Sequence, residues 1–327
     1  MIDPALGLPA EPGLPPLPRG AAITVGTFDG VHRGHRRVLE ELRRHAAAAG
    51  RPAVVVTFHP HPLRVVRPEA APRLLTTPAE KRDLLAETGV EYAVFLPFTQ
   101  AMARLTPREF VQDILIGRLQ LAHLVVGYDH AFGRDRSGGI DTLRELGAEF
   151  GFPVDVVPAV ELDGTVVSST RIRRALREGD VVTAAAALGR PYAVRGVVVR
   201  GDGRGRTLGF PTANIQVDDP DKLLPLEGIY AVRAALRRHG YVDGVLHLGP
   251  RPTFTGAQAT VEVHLFDFDR DIYGEQVQVE FWARLREIRA FDSVEALIEA
   301  MHADRAAARR ALAAGGDACS KFRQELD

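Results

Sequence analysis

Two histidines three residues apart, His32 and His35, stand in the segment GTFDGVHRGH, residues 26–35, between an apolar run and a helical pattern. Gly26, Gly30 and Gly34 let the backbone turn tightly and approach a ligand. A helix that starts there presents backbone N–H groups and the positive end of its dipole, which suits a phosphate. At this spacing both imidazoles can face that phosphate and donate hydrogen bonds, or carry charge, as a transition state becomes negative. A solvent-facing helix start or a metal pair would use the same two residues. The segment is neither a P-loop, for it lacks GK[ST], nor a GxGxxG fingerprint.

Other segments carry chemistry of the same kind. In SSTRIR, residues 168–173, Ser168, Ser169 or Thr170 can cap a helix whose first turn would project Arg173, a second anion site. Alone, it is also an ordinary helix start. TFHPHP, residues 57–62, and VVGYDHAFG, residues 125–133, end two apolar strands, where the crevice of a parallel sheet lies. His59 and His61 could equally belong to a polar loop. RGDGRGRTLGFPTANI, residues 200–215, is a donor-rich loop followed by a short extended run. There Thr212 and Asn214 point to one side and offer hard oxygen ligands for Mg²⁺ with bound phosphate. Glu262 puts a charge inside an alternating apolar strand, either as an outward-facing residue or as a functional carboxylate. Asp267, Asp269 and Asp271 have calcium-loop spacing, but Ile272 and Gln278 occupy the positions that need Gly and Glu. They are expected to form a polar turn.

The elements that must position these groups follow two rhythms. From residue 21 to about 157, apolar strands alternate with helices: strands over 21–28, 53–58, 92–96, 121–126 and 154–157, helices over 34–49, 78–88, 107–116 and 140–150. Such alternation predicts a doubly wound α/β domain with a parallel sheet. After about residue 183, short β-rich runs lie between turns, over 195–200, 229–236, 241–248, 260–268 and 276–285, which predicts a small antiparallel barrel. A helix over 294–314 closes the chain. Residues 1–20 are proline-rich and predict an extended lead-in. The expected domains are therefore 21–186 and 187–327.

Composition narrows the class. With 327 residues, 46% hydrophobic and 25% charged, the chain can bury two cores, and a formal net charge of −1 gives no reason to expect nucleic acid or an anionic membrane as partner. Only Lys81, Lys222 and Lys321 are lysines among 41 basic residues, which fits a GC-rich coding bias. The single cysteine, Cys319, excludes an internal disulfide and a cysteine-rich zinc site. No apolar run is long enough to span a membrane, and no signal-peptide pattern is seen, so the cytoplasm is the expected compartment. A homo-oligomer is compatible with the sequence and not required by it.

The HxGH and SSTRIR segments resemble the two signatures of the nucleotidyltransferase superfamily, in the expected order. With TFHPHP, VVGYDHAFG, GFPTAN, GPRPTF (residues 249–254), VEVHLFDFDRDIYG (261–274) and LREIRAFDS (285–293), residues 20–312 resemble the bacterial bifunctional riboflavin kinase/FAD synthetase family. The resemblance implies an N-terminal Rossmann-like domain that transfers AMP from ATP onto FMN, and a C-terminal barrel that phosphorylates riboflavin. Both steps would need ATP and Mg²⁺. In the first domain it implies that Gly26, Phe28, Asp29, Gly30, His32, His35, Asp129, Ser168, Ser169, Thr170 and Arg173 hold ATP. Phe58, His59, Pro60, His61 and Pro62 would lie near the flavin. In the barrel, Gly203, Gly205, Arg206, Gly209, Pro211, Thr212 and Asn214 would hold Mg-ATP. Arg286 and Phe291 would line the flavin pocket with Glu262, the catalytic carboxylate. The chain departs from the family pattern at His130, often Phe, His247, often Asn, and Ile288, often Glu. A chain with only the adenylyl activity is a rival reading, but Glu262, Thr212 and Asn214 are all retained. An RNA-binding barrel is disfavoured by 7% aromatics and no basic stripe.

Overall fold

The computed structural model describes residues 2–3, 8–9, 15–130, 133, 138–201, 205, 208–249 and 260–324, with side chains between Pro15 and Ala314. Gly203, Arg206, most of GPRPTF, Ala131 and Phe132 lie outside the described residues, as does the side chain of Cys319. The chain divides into two compact units, Met1–Val167 and Ser168–Asp327.

The first unit is a five-stranded parallel sheet, with β1 (Ala21–Val25), β2 (Ala53–His59), β3 (Tyr92–Pro97), β4 (Leu121–Gly127) and β5 (Val154–Val157) in the order β3-β2-β1-β4-β5. β1 is buried at every position and β2 at its first five, as a parallel sheet covered on both faces requires. Ile23, Val25, Val54 and Val56 pack on one side with Ile114 and Leu124, while Ala22 and Val55 pack on the other with Leu39, Leu42 and Leu85. Helix α1 (Arg33–Ala48) reaches that second core through Val38, Leu39, Leu42 and Ala46, one stripe of its surface. The buried valine and the two leucines each contribute about 1.5–3 kcal/mol, so this stripe fixes where the helix start must lie. The strand order reverses between β1 and β4, which puts the C-terminal end of β1 at the switch point of the sheet.

Around the sheet lie α2 (Pro62–Val66), α3 (Pro78–Ala86) and α4 (Ile140–Phe150). The helix expected over 107–116 begins as a capped turn at Pro107–Glu109 and continues as a π-helical segment, Phe110–Ile116. The five residues of α2 are too few for periodicity to show. Lead-in residue Leu17 is buried in the sheet core and its N–H donates to Gln120 Oε1 at 3.1 Å, while Ile2–Asp3 pairs with Leu8–Pro9.

The second unit begins with α5 (Ser169–Arg177) and α6 (Val181–Leu188), the latter an Ala-rich helix the sequence reading left unassigned. Six antiparallel strands then close a barrel: β6 (Tyr192–Val199), β7 (Ala213–Val217), β8 (Gly228–Leu236), β9 (Gly240–Gly249), β10 (Thr260–Leu265) and β11 (Gln276–Arg286), in the order β6-β7-β10-β9-β8-β11. Closure removes the exposed edges of the sheet. The final helix α7 (Val294–Gln324) extends past the expected 314 and packs on β8, β9 and β11. As expected, Asp267 lies in a turn after β10, where it meets Arg305 at 2.8 Å and Arg309 at 2.6 Å.

Candidate functional site

In the first unit the candidate site grows from the end of β1. Gly26 N–H donates to Val56 O, which ties the turn to β2. Phe28 (φ 46°) and Val31 (φ 39°) then adopt left-handed backbone, which costs a non-glycine residue energy and concentrates at functional turns. Asp29 helps to hold the turn in place. Its buried carboxylate accepts from Leu75 N (3.0 Å), Thr76 N (2.9 Å) and Thr76 Oγ1 (3.0 Å), and Thr76 Oγ1 in turn accepts from Gly30 N at 3.0 Å. Asp29, expected at ATP, therefore uses its carboxylate as a latch on residues 75–76.

His32 is the N-cap of α1, and its Nδ1 accepts from His35 N at 3.3 Å. In the neutral ring, the proton then sits on Nε2, which makes that atom a donor. The His32 and His35 rings stack with centroids 3.6 Å apart and an interplanar angle of 16°, and Phe28 abuts His35 at 5.0 Å. A side chain at Gly34 would crowd His32, meeting its Nδ1 at 3.2 Å, so glycine keeps the cap's geometry. The two imidazoles thus share one face at a helix start.

Beside this turn is a pocket lined by Thr27, Asp29, Phe58, His59, His61, Thr76 and Lys81. It joins the β1 turn to the TFHPHP segment. Phe58 meets Phe98 and Phe110 edge-on or tilted, His59 is exposed and joined to Pro60 by a cis peptide, and His61 caps α2, accepting from Leu63 N at 3.2 Å. Pro62 opens that helix. Asp129 is exposed in the turn after β4, at the same C-terminal edge of the sheet.

Sequence reasoning missed Lys81. Its Nζ donates to Thr27 O at 2.7 Å and Thr57 Oγ1 at 3.4 Å, and Thr57 Oγ1 also donates to Thr27 O. Burial lowers the pKa of this ammonium, and the Asp29 carboxylate opposes the shift. The signal was its rarity among the basic residues and its place one turn into a helix that starts beside the site.

In the second unit Ser168 caps α5, accepting from Arg171 N at 3.3 Å, which selects one of the three candidate caps. Ser169 and Thr170 open the helix. Arg173, expected in the first turn, begins the second and is buried.

The barrel site is a row across its strands. Glu262 on β10 is directly opposite Asn214 on β7 and, on its other side, His247 on β9. His247 is opposite Ile229, which is opposite Arg286 on β11. Residues directly opposite one another share a face of the sheet. Thr212 Oγ1 donates to Glu262 Oε2 at 3.5 Å. Gly205 must be glycine, because a Cβ there would stand 2.3 Å from Phe210 O. Gly209 is left-handed (φ 81°), and Pro211 O accepts from His264 Nδ1 at 2.9 Å. Burial lowers the pKa of His247, helped by Arg286 and opposed by Glu262 and Glu227. Arg286, expected at the flavin, grips Asp304 of α7 with two bonds of 2.8 and 2.7 Å, and its guanidinium lies 5.7 Å from the Phe291 ring.

A helix start with two imidazoles at the switch point of a parallel sheet, followed by a barrel with a carboxylate between an amide and an imidazole and within reach of a hydroxyl, fits a two-site nucleotide-dependent transferase. The family comparisons agree in each half. Residues 14–171 match the FAD synthetase model and residues 188–312 the riboflavin kinase model. The chain is 43% identical to the bifunctional riboflavin kinase/FMN adenylyltransferase of Pseudomonas fluorescens, over 92% of this chain and 96% of that one. It is 37% identical to the Escherichia coli K12 protein of the same name, over 89% and 92%. A crystal structure described as a macrolide-efflux protein from Streptococcus pneumoniae superposes with a TM-score of 0.81 at 36% identity, covering 89% of this chain and 94% of that one. Among the described residues no helix is long and apolar enough to cross a membrane. The chain belongs to the bifunctional riboflavin kinase/FMN adenylyltransferase family.

Proposed function

We propose that this chain makes FAD from riboflavin in two ATP-dependent steps. Riboflavin and ATP give FMN and ADP in the barrel, and FMN and ATP give FAD and pyrophosphate in the α/β domain. The observation that carries the reading is the row Asn214–Glu262–His247, with Thr212 against Glu262, in the same chain as the stacked His32–His35 cap.

In the kinase step Glu262 accepts the proton of the riboflavin 5′-hydroxyl as its oxygen attacks the γ-phosphorus, and ADP leaves. The Thr212 hydroxyl and Asn214 carboxamide beside Glu262 form a set of hard oxygen donors that fits Mg²⁺. When bound, the ion neutralises phosphate charge. The glycine-containing loop ending at Pro211 brings backbone donors to ATP. His247, kept neutral by burial, adds no competing cation beside Glu262.

In the adenylyl step a phosphate oxygen of FMN attacks the α-phosphorus of ATP and pyrophosphate leaves. His32 and His35 donate to the phosphates as charge shifts onto the leaving group. Asp29 and Lys81 hold the turn that positions them. Phe58 to Pro62 line the flavin side, and Asp129 contributes to ATP binding. No covalent intermediate is needed, since orientation and charge stabilisation suffice.

The adenylyltransferase domain is assigned to residues 21–186 and the kinase domain to 187–327, supported by family matches that end at 171 and resume at 188. The cytoplasm is the proposed compartment, where ATP is available. The test is one incubation of the purified chain with riboflavin, ATP and Mg²⁺, with products separated chromatographically. FMN followed by FAD is expected. FAD formed only from supplied FMN would leave the adenylyl activity alone, and neither product would overturn the assignment.

A further inference from the structure

At the edge of the parallel sheet opposite the HxGH turn, three polar residues come together. His45 is in the last turn of α1, after Arg44 and before Ala46; His123 is in β4, between Ala122 and Leu124; Asp155 is in β5, between valines. The proposed flavin and ATP chemistry uses none of them. Their ligand atoms, two imidazole nitrogens and a carboxylate oxygen, all lie within 4.8 Å of one another.

We propose that His45, His123 and Asp155 bind a divalent transition-metal ion, zinc above all, which staples the end of α1 to the sheet. Asp155 Oδ2 is 2.6 Å from His123 Nε2 and 3.4 Å from His45 Nε2, and the two rings are 4.6 Å apart. An ion with ligand bonds of about 2 Å needs these atoms to part by only a fraction of an ångström to enter between them. Two nitrogens and one oxygen suit zinc, cobalt or nickel, while Mg²⁺ prefers an all-oxygen set. The His123 and His45 side chains are 13% and 20% exposed, and Asp155 is 46% exposed, so the site has a mouth through which water can supply a fourth ligand.

The state of His45 favours ligation. Arg44 Nη2 lies 2.8 Å from its Nε2, and a guanidinium only donates, so that nitrogen presents its lone pair. Arg44 is well exposed and already paired with Glu41 through Nε at 2.7 Å, so Nη2 can swing aside. The entering ion takes the place of the proton that His123 and Asp155 share, and that proton goes to solvent.

The test uses the full chain, stripped of metal and free of ATP. Zn²⁺ is titrated by calorimetry, and Co²⁺ by its visible absorption. One Zn²⁺ is expected to bind wild type and to raise its melting temperature, and Co²⁺ should show the intense bands of a low-coordinate nitrogen–oxygen site. His32→Ala should leave this binding intact, which separates it from the other histidine cluster. His123→Ala and Asp155→Asn should each weaken it by more than about tenfold, and Arg44→Ala should strengthen it. Asp155→Asn keeps the side chain's size, so it decides the matter if His123→Ala fails to fold by circular dichroism. Absence of Zn²⁺ binding by wild type, or binding equally tight in Asp155→Asn, would overturn the proposal and leave a hydrogen-bonded lock only.

Discussion

Glu262 has Asn214 on one side and His247 on the other, with Thr212 Oγ1 within reach of its carboxylate. Glu262→Gln keeps the shape and removes the base. FMN formation should fall by about 10²–10⁴-fold while adenylylation of supplied FMN is unchanged, as product chromatography would read. His247 carries a pH prediction. Burial lowers its pKa, so the fold favours the neutral ring. Its contribution to stability is complete above the ordinary imidazole pKa and is lost as pH falls through the lowered folded value. Protonation would set a cation beside Glu262, so kinase kcat/KM should fall along an acid limb below the ordinary imidazole range. His247→Asn should remove that limb. Lys81 is the corresponding group in the first unit. Its lowered pKa means that folding favours the neutral amine, so stability rises as pH climbs from the folded value towards the ordinary lysine value. Lys81→Met should abolish that alkaline rise in denaturant melts.

At the scale of elements, the kinase loop depends on close backbone approach. Gly205→Ala would drive a Cβ into Phe210 O, so the run into Pro211 and Thr212 must shift. Kinase activity should drop at least about tenfold with adenylyl transfer intact, a split that a coupled assay on both substrates measures. Much of this level was legible beforehand. The largely apolar runs of β1 and β2 and the 3.6-residue stripe of α1 have one physical reading, a covered parallel sheet with helices on its faces. HxGH was legible because strand end, glycines and imidazoles coincide within ten residues. What escaped depends on tertiary partners. Nothing local distinguishes the Asp29 latch from a ligand contact, since Leu75 and Thr76 are distant in sequence. Nor does anything local say that Arg286 would be held by Asp304 on a helix beyond it. α6 is four alanines with two valines, a threonine and a leucine, apolar on nearly every side, and α2 is a single turn.

At the scale of the molecule, the stacked imidazoles lie in one compact unit and the barrel-wall carboxylate in the other. FMN is product of one and substrate of the other, and no covalent link to the protein carries it between them. Mixing Glu262→Gln with His32→Ala chains should therefore restore FAD synthesis from riboflavin, which neither variant achieves alone. FAD absent from the mixture, with each remaining activity present, would show that FMN cannot pass between chains. The cross-strand row has one more implication. Side chains alternate along β10, so a pairing slip of one residue would turn Glu262 into the apolar interior and bring Val261 or Val263 to the active face. Kinase turnover is then an audit of strand register. In a refolding experiment, catalysis should count only the correctly threaded barrels, including where overall β-content fails to tell them from misthreaded ones.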